Sequence, residues 1–148
     1  MKKIIGLFIF IFVVSLYIEA QQYLVVTTVE SIVPAGVGRS RIIVQKTPIN
    51  SDDFTTQRTD GKKSDQGEIK REDAKIDVFE ETKLLNFYSL VGINFQNIAS
   101  NDALISDKLN KLSKDGWELK FVTSGVESDA GKDDNNGIFI TRYVFYKK

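Results

Sequence analysis

The chain must build its fold around a hydrophobic core without covalent help, because it contains no cysteine although its first residues read as an export signal. Lys2 and Lys3 form a charged start, Ile4 to Ile18 is an almost unbroken apolar run, and Ala20 offers a small residue for cleavage before Gln21. The run is shorter than the ~20 residues a bilayer-spanning helix usually needs. Residues 1–20 are therefore expected to be a signal peptide, with a retained membrane anchor as the alternative. The missing cysteine excludes a lipid-modified lipoprotein and removes disulfides from a compartment that would permit them. The expected destination is the bacterial periplasm or cell surface.

Residues 21–148 suffice for a single domain with one core. The whole chain carries 20 basic and 20 acidic residues; loss of Lys2, Lys3 and Glu19 leaves 18 and 19. A nearly neutral exported domain is not expected to bind nucleic acid. A membrane is a partner only if the N-terminal segment is retained.

Tyr23 to Val29 is rich in β-branched and aromatic residues and reads as a strand. Turn chemistry from Pro34 to Gly38 separates it from a second strand at Arg41 to Val44, a hairpin with a long loop that Pro48 closes. Residues 50 to 82 change character, with ten acidic and six basic residues and few large apolar ones. Such a stretch cannot bury enough surface to offset its ordering entropy, so 50–73 is expected to be a mobile, charged insertion. From Ala74 the pattern is open: Ile69, Ile76 and Phe79 fit a helical face, whereas Ala74, Ile76 and Val78 alternate as in a strand.

Phe87 to Phe95 returns to strand composition, with Phe87, Val91, Ile93 and Phe95 expected in the core and Gly92 marking a bulge or close approach. The clearest helix follows. Ser100 or Asn101 can cap it, Asp102 suits its first turn, and Ile105, Leu109 and Leu112 form an apolar face. Lys111 and Lys114 suit its C-terminal end, where Gly116 is a natural stop. Trp117, Leu119 and Phe121 then alternate with Glu118, Lys120 and Val122, which predicts a strand with one face under the helix. A polar loop is expected from Ser124 to Asn136, ending in Asn136-Gly137, a hairpin signal. The last strand, Ile138 to Tyr146, is apolar on both faces: Phe139, Tyr143 and Phe145 on one, Ile138, Ile140, Val144 and Tyr146 on the other.

Leu109-Asn110-Lys111-Leu112, Gly116-Trp117-Glu118-Leu119, the upstream Tyr23-Leu24-Val25-Val26 and the closing Tyr143-Val144-Phe145-Tyr146-Lys147-Lys148 form a pattern. It resembles a family of small bacterial proteins of unknown function in which a Tyr-x-Val-Val strand precedes a Leu-Asn helix and a Gly-Trp-Glu-Leu strand. The resemblance covers about half of residues 21–148 and departs from the family at the 50–82 insertion and at the extra strand before the helix. It implies a small β-rich fold with one helix and supplies no activity, cofactor or site residue.

Without histidine or cysteine, zinc sites, imidazole bases and thiol nucleophiles are unavailable. No Gly-x-Ser-x-Gly or Ser-x-x-Lys motif is present, and Glu118 has no partner identifiable from spacing for acid catalysis. Asp129, Asp133, Asp134 and Asn135 invite a calcium reading, but Gly131 and Ile140 stand where an EF-hand needs ligands. The Gly36 to Ser40 run lacks the lysine and spacing of a phosphate loop. No catalytic, cofactor or metal residue is therefore expected.

The expected fold is α+β: a small antiparallel sheet of about four or five strands with one helix packed on a face. The expected function is a non-catalytic interaction module of the cell envelope, its partner itself or another envelope protein. The candidate surface is Tyr88, Leu90, Ile138, Ile140, Val144 and Tyr146, because a two-sided last strand needs a second cover. Residues 74–86 folding back over that face would supply it internally. A small-ligand or glycan binder stacking on Tyr88, Tyr143 and Tyr146 is the alternative class, and an enzyme is the third.

Overall fold

The computed structural model describes residues 21–33, 39–63, 65–127 and 137–148. The export segment, the Pro34–Gly38 turn and the Asp129–Asn135 loop lie outside the described residues.

Alternation along β1 (Gln22–Ser31) sends Leu24, Val26 and Thr28 to the interior and Tyr23, Val25 and Thr27 the other way. β2 (Arg41–Val44) runs antiparallel to it, with Val44 opposite Val26 and Ile42 opposite Thr28. β3 (Glu80–Lys83) pairs with β2 at one edge of the sheet. A two-residue hairpin, β4 (Tyr88–Ser89) and β5 (Gly92–Ile93), leads into α1 (Phe95–Lys114). β6 (Glu118–Glu127) and β7 (Ile138–Lys147) complete the sheet, whose order is β3-β2-β1-β7-β6 with every pair antiparallel. The result is a small α+β fold.

The core lies between one sheet face and α1. Leu24, Val26, Ile42, Val44, Leu84, Phe145 and Leu112 are buried there, and Ile105, Leu109, Trp117 and Tyr143 pack against them. Phe145 stands opposite Leu24 and Tyr143 opposite Val26, so β7 divides its residues between faces as its alternation indicates. The helix ends in a Schellman turn: Trp117 N–H donates to the Leu112 carbonyl and Gly116 N–H to that of Ser113, both at 3.0 Å. Gly116 takes φ +85° there, a conformation that a Cβ disfavours.

Three expectations are corrected. The helix begins at Phe95, not near residue 101, because Asn94 is extended and its side chain caps Asn97 N–H at 3.2 Å. Asn101 instead lies buried inside the helix. The segment before it is not a core strand. Gly92 at φ +121° turns it into the hairpin, so Val91, Ile93 and Phe95 face solvent and only Phe87 packs inward, its ring 5.4 Å from that of Phe139. Finally, Leu119 and Phe121 do not share a face. A bulge at Lys120 interrupts the β6–β7 register, so Leu119 lies opposite Phe145 on the helix side while Phe121 lies opposite Val144 on the far side.

Residues 50–73 hold two 3-10 turns, Ser51–Phe54 and Asp65–Glu68, and none of their described residues is fully buried. Of the open stretch 74–82, residues 75–79 form neither the helix nor the strand considered, with Ile76, Val78 and Phe79 exposed, and only 80–82 enter the edge strand β3. Leu84 beyond it enters the core, with its N–H donating to the Ser40 carbonyl at 2.9 Å. Residues 80–86 thus extend the sheet and join the helix side instead of covering Ile140.

Candidate interaction surface

The two edges of the sheet are built differently. β3 is four residues long and charged. Glu80 binds Lys46 at 2.7 Å and Lys108 at 3.0 Å, and Glu81 binds Arg41. Short length and charge are the usual devices that stop an edge from recruiting another strand. β6 is ten residues long, and every one of them is exposed. Its charges sit at the ends: Glu118, Lys120 and Glu127. Between them Phe121-Val122-Thr123-Ser124-Gly125-Val126 carries none.

Exposure on β6 follows from where α1 lies. The helix packs Leu112 into the cluster of Leu24, Val26, Ile42, Val44 and Phe145 and approaches β6 at its Glu118–Leu119 end, while Val122 and Val126 farther along the strand stay exposed. Val122 is 49% exposed and Val126 63%, although both point to the same side as the core. On the opposite side Phe121 is 57% exposed and continues a cross-strand row with Val144 and Val25. A second row joins Glu118, Tyr146 and Tyr23, and a third Gly125, Ile140 and Val29. Among the described residues, β6 thus carries apolar side chains on both faces and has a strand, β7, on one edge alone.

Four residues of the candidate surface, Ile138, Ile140, Val144 and Tyr146, lie together on the face away from α1, each half-buried. Tyr88 and Leu90 do not join them. They sit on the β4–β5 hairpin, which is anchored to the helix side by the Phe87–Phe139 contact. The three tyrosines considered for ligand stacking also separate. Tyr88 is on that hairpin, Tyr146 is on the far face, and Tyr143 faces the helix layer, where burial pushes its hydroxyl pKa up.

Tyr146 instead meets Tyr23, ring centroids 5.5 Å apart and tilted by 59°. Lys120 Nζ lies 4.9 Å from the Tyr146 ring centroid while bonding Glu118 at 2.9 Å. With Phe121 and Lys147 these residues line an open depression of about 890 Å³ at one end of the sheet. The Glu118–Lys120 pair is exposed to solvent there.

Sequence reasoning set Phe121 on the helix face, Val122 opposite it with Glu118 and Lys120, and Val126 in a polar loop from Ser124; β6 instead runs to Glu127, with Phe121 on the far side and Val122 and Val126 exposed on the helix side. The signal available was the charge-free run between Lys120 and Glu127. It also missed the buried polar cluster behind the sheet, in which Asn101 donates to Glu30 at 3.0 Å. Burial raises the Glu30 pKa, the Asn101 hydrogen bond opposes this, and the Asp102 charge adds to it.

Among the described residues, no helix is long and apolar enough to cross a membrane, and no group of three acidic side chains is placed to hold a metal ion. Comparison with family models, curated proteins and solved structures finds no match to this chain.

Proposed function

We propose that this chain is a non-catalytic interaction module of the cell envelope whose contact surface is the β6 side of its sheet. The observation that carries the reading is the ten-residue edge strand, exposed throughout, beside a short and charged opposite edge. Such an edge offers a partner a row of unpaired N–H and C=O groups together with apolar side chains on either face. Export rests on the Lys2 to Ala20 segment.

The double variant Val122→Lys/Val126→Lys tests it. Both residues are exposed, so stability should change by no more than ~0.5 kcal/mol per site. Complexes recovered from whole cells on native gels should disappear. Complexes that survive in a folded variant contradict the reading.

The Tyr23–Tyr146 pair with Lys120 over its edge favours a second reading, a small-ligand or glycan site in the open depression. A rise in melting temperature with an envelope glycan, lost in Tyr23→Ala, would support it. No shift across such glycans counts against it.

A further inference from the structure

We infer that the strand seated on the β6 edge is β6 of a second copy, paired antiparallel about a two-fold axis through Ser124, so that two five-stranded sheets become one of ten. The inference rests on the interaction-module reading and adds the occupant and the register.

The register follows from geometry. A two-fold perpendicular to the sheet keeps each side chain on its own face, and residues opposite one another in an antiparallel pair share a face. The β7 register assigns Leu119, Val122, Ser124 and Val126 to the helix side and Glu118, Phe121, Thr123, Gly125 and Glu127 to the far side. The bulge at Lys120 breaks the regular pleat at one end, leaving 121–127 as the regular stretch.

Centring the axis on Ser124 uses that whole stretch. It sets Val122 opposite Val126 in two symmetric pairs, covering side chains that α1 leaves exposed. Thr123 then faces Gly125, and Phe121 faces Glu127 with its ring diagonal to Gly125, where no side chain obstructs it. No like charges stand opposite one another, and Lys120 comes next to Glu127 of the second copy. Centring on Thr123 places Val126 against the bulge and Val122 against Ser124. Centring on Gly125 shortens the overlap and matches neither valine. The strand is thus self-complementary in one register.

The absence of cysteine makes single-cysteine variants clean probes of the chain purified from cells. Residues opposite one another have Cα atoms roughly 4.5–5.5 Å apart, within disulfide range. Ser124→Cys should therefore form a disulfide-linked dimer under mild oxidation. Val122→Cys alone should not, since its two copies lie four positions apart, roughly 13 Å. Val126→Cys alone should not either, but a mixture of the two should. Ser51→Cys, in an exposed turn, controls for random collision.

Val122→Cys linking to itself as fast as Ser124→Cys would overturn the register. A chain that sediments as a monomer and forms no β6 disulfide would overturn the second copy. In that case, cell complexes still abolished by Val122→Lys/Val126→Lys leave the module reading standing with a different partner. Complexes unaffected by that variant remove both.

Discussion

Asn101 holds Leu85 by both ends of its carboxamide: Oδ1 accepts from the Leu85 N–H and Nδ2 donates to the Leu85 carbonyl, each at 2.8 Å. A side chain of α1 thus does for Leu85 what a neighbouring strand does for a sheet residue. It fastens the segment after β3 to the helix where that segment leaves the sheet. Asn101 is completely buried, so its removal leaves donor and acceptor groups unpaired. Asn101→Ala is expected to cost about 2–4 kcal/mol, measured by urea unfolding followed through Trp117 fluorescence. A loss below ~0.5 kcal/mol would show that the clasp is not structural.

Glu30, the third partner of Asn101, gives the fold a pH dependence of definite sign. Burial holds its carboxyl above its ordinary value of 4.5, so the native chain binds more protons than the unfolded chain in that window. Its contribution is fully present below the ordinary value and is lost as pH rises through the raised native value. Glu80 has the opposite sign: hydrogen bonds from Lys46 and Lys108 lower its pKa, so its contribution fades in acid. Glu30→Gln should gain stability relative to the parent between pH 4 and pH 7. Equal urea midpoint differences at the two values would contradict this.

Gly116 tests the joint between α1 and β6. A Cβ there would meet only Lys147 side-chain atoms, the nearest at 3.5 Å, an ordinary contact. The cost of Gly116→Ala comes from φ +85° and is expected to be about 1–2 kcal/mol. Gly116→Asn should cost less, since asparagine tolerates that conformation. Thermal melts of the two variants rank them.

Phe145 and Phe121 separate packing from surface. The first is 1% exposed in the core and the second projects from β6 on the far side. Phe145→Ala should cost about 3–5 kcal/mol; Phe121→Ala should cost less than ~1 kcal/mol. Equal losses in denaturant unfolding would mean that Phe121 is covered within a single chain.

Much of the fold was legible because it depends on side-chain period and on stop signals. The alternation of Leu24 and Val26 and the two apolar faces of β7 mark strands, and the Gly116 stop marks the helix end. The helix start was not legible: asparagines at 94 and 101 both suit a cap, and only the extended backbone at Asn94 decides between them. The bulge at Lys120 was hidden for a related reason. Trp117, Leu119 and Phe121 alternate without a break, but a bulge belongs to the pairing of two strands and leaves no mark on one of them. The candidate surface was half legible. The apolar far face of β7 can be read from composition, whereas the exposure of Val122 and Val126 depends on strand order and on how far α1 reaches.

Photo-crosslinking in whole cells tests the contact surface most directly. A photoreactive side chain is placed in turn at Val122, Val126, Leu104 on the open side of α1, and Val78 before β3, all exposed positions. If β6 is the contact, Val122 and Val126 yield discrete adducts of the same composition and Leu104 and Val78 yield none. Adducts from Leu104 or Val78, with β6 silent, would place the contact elsewhere and contradict the assignment.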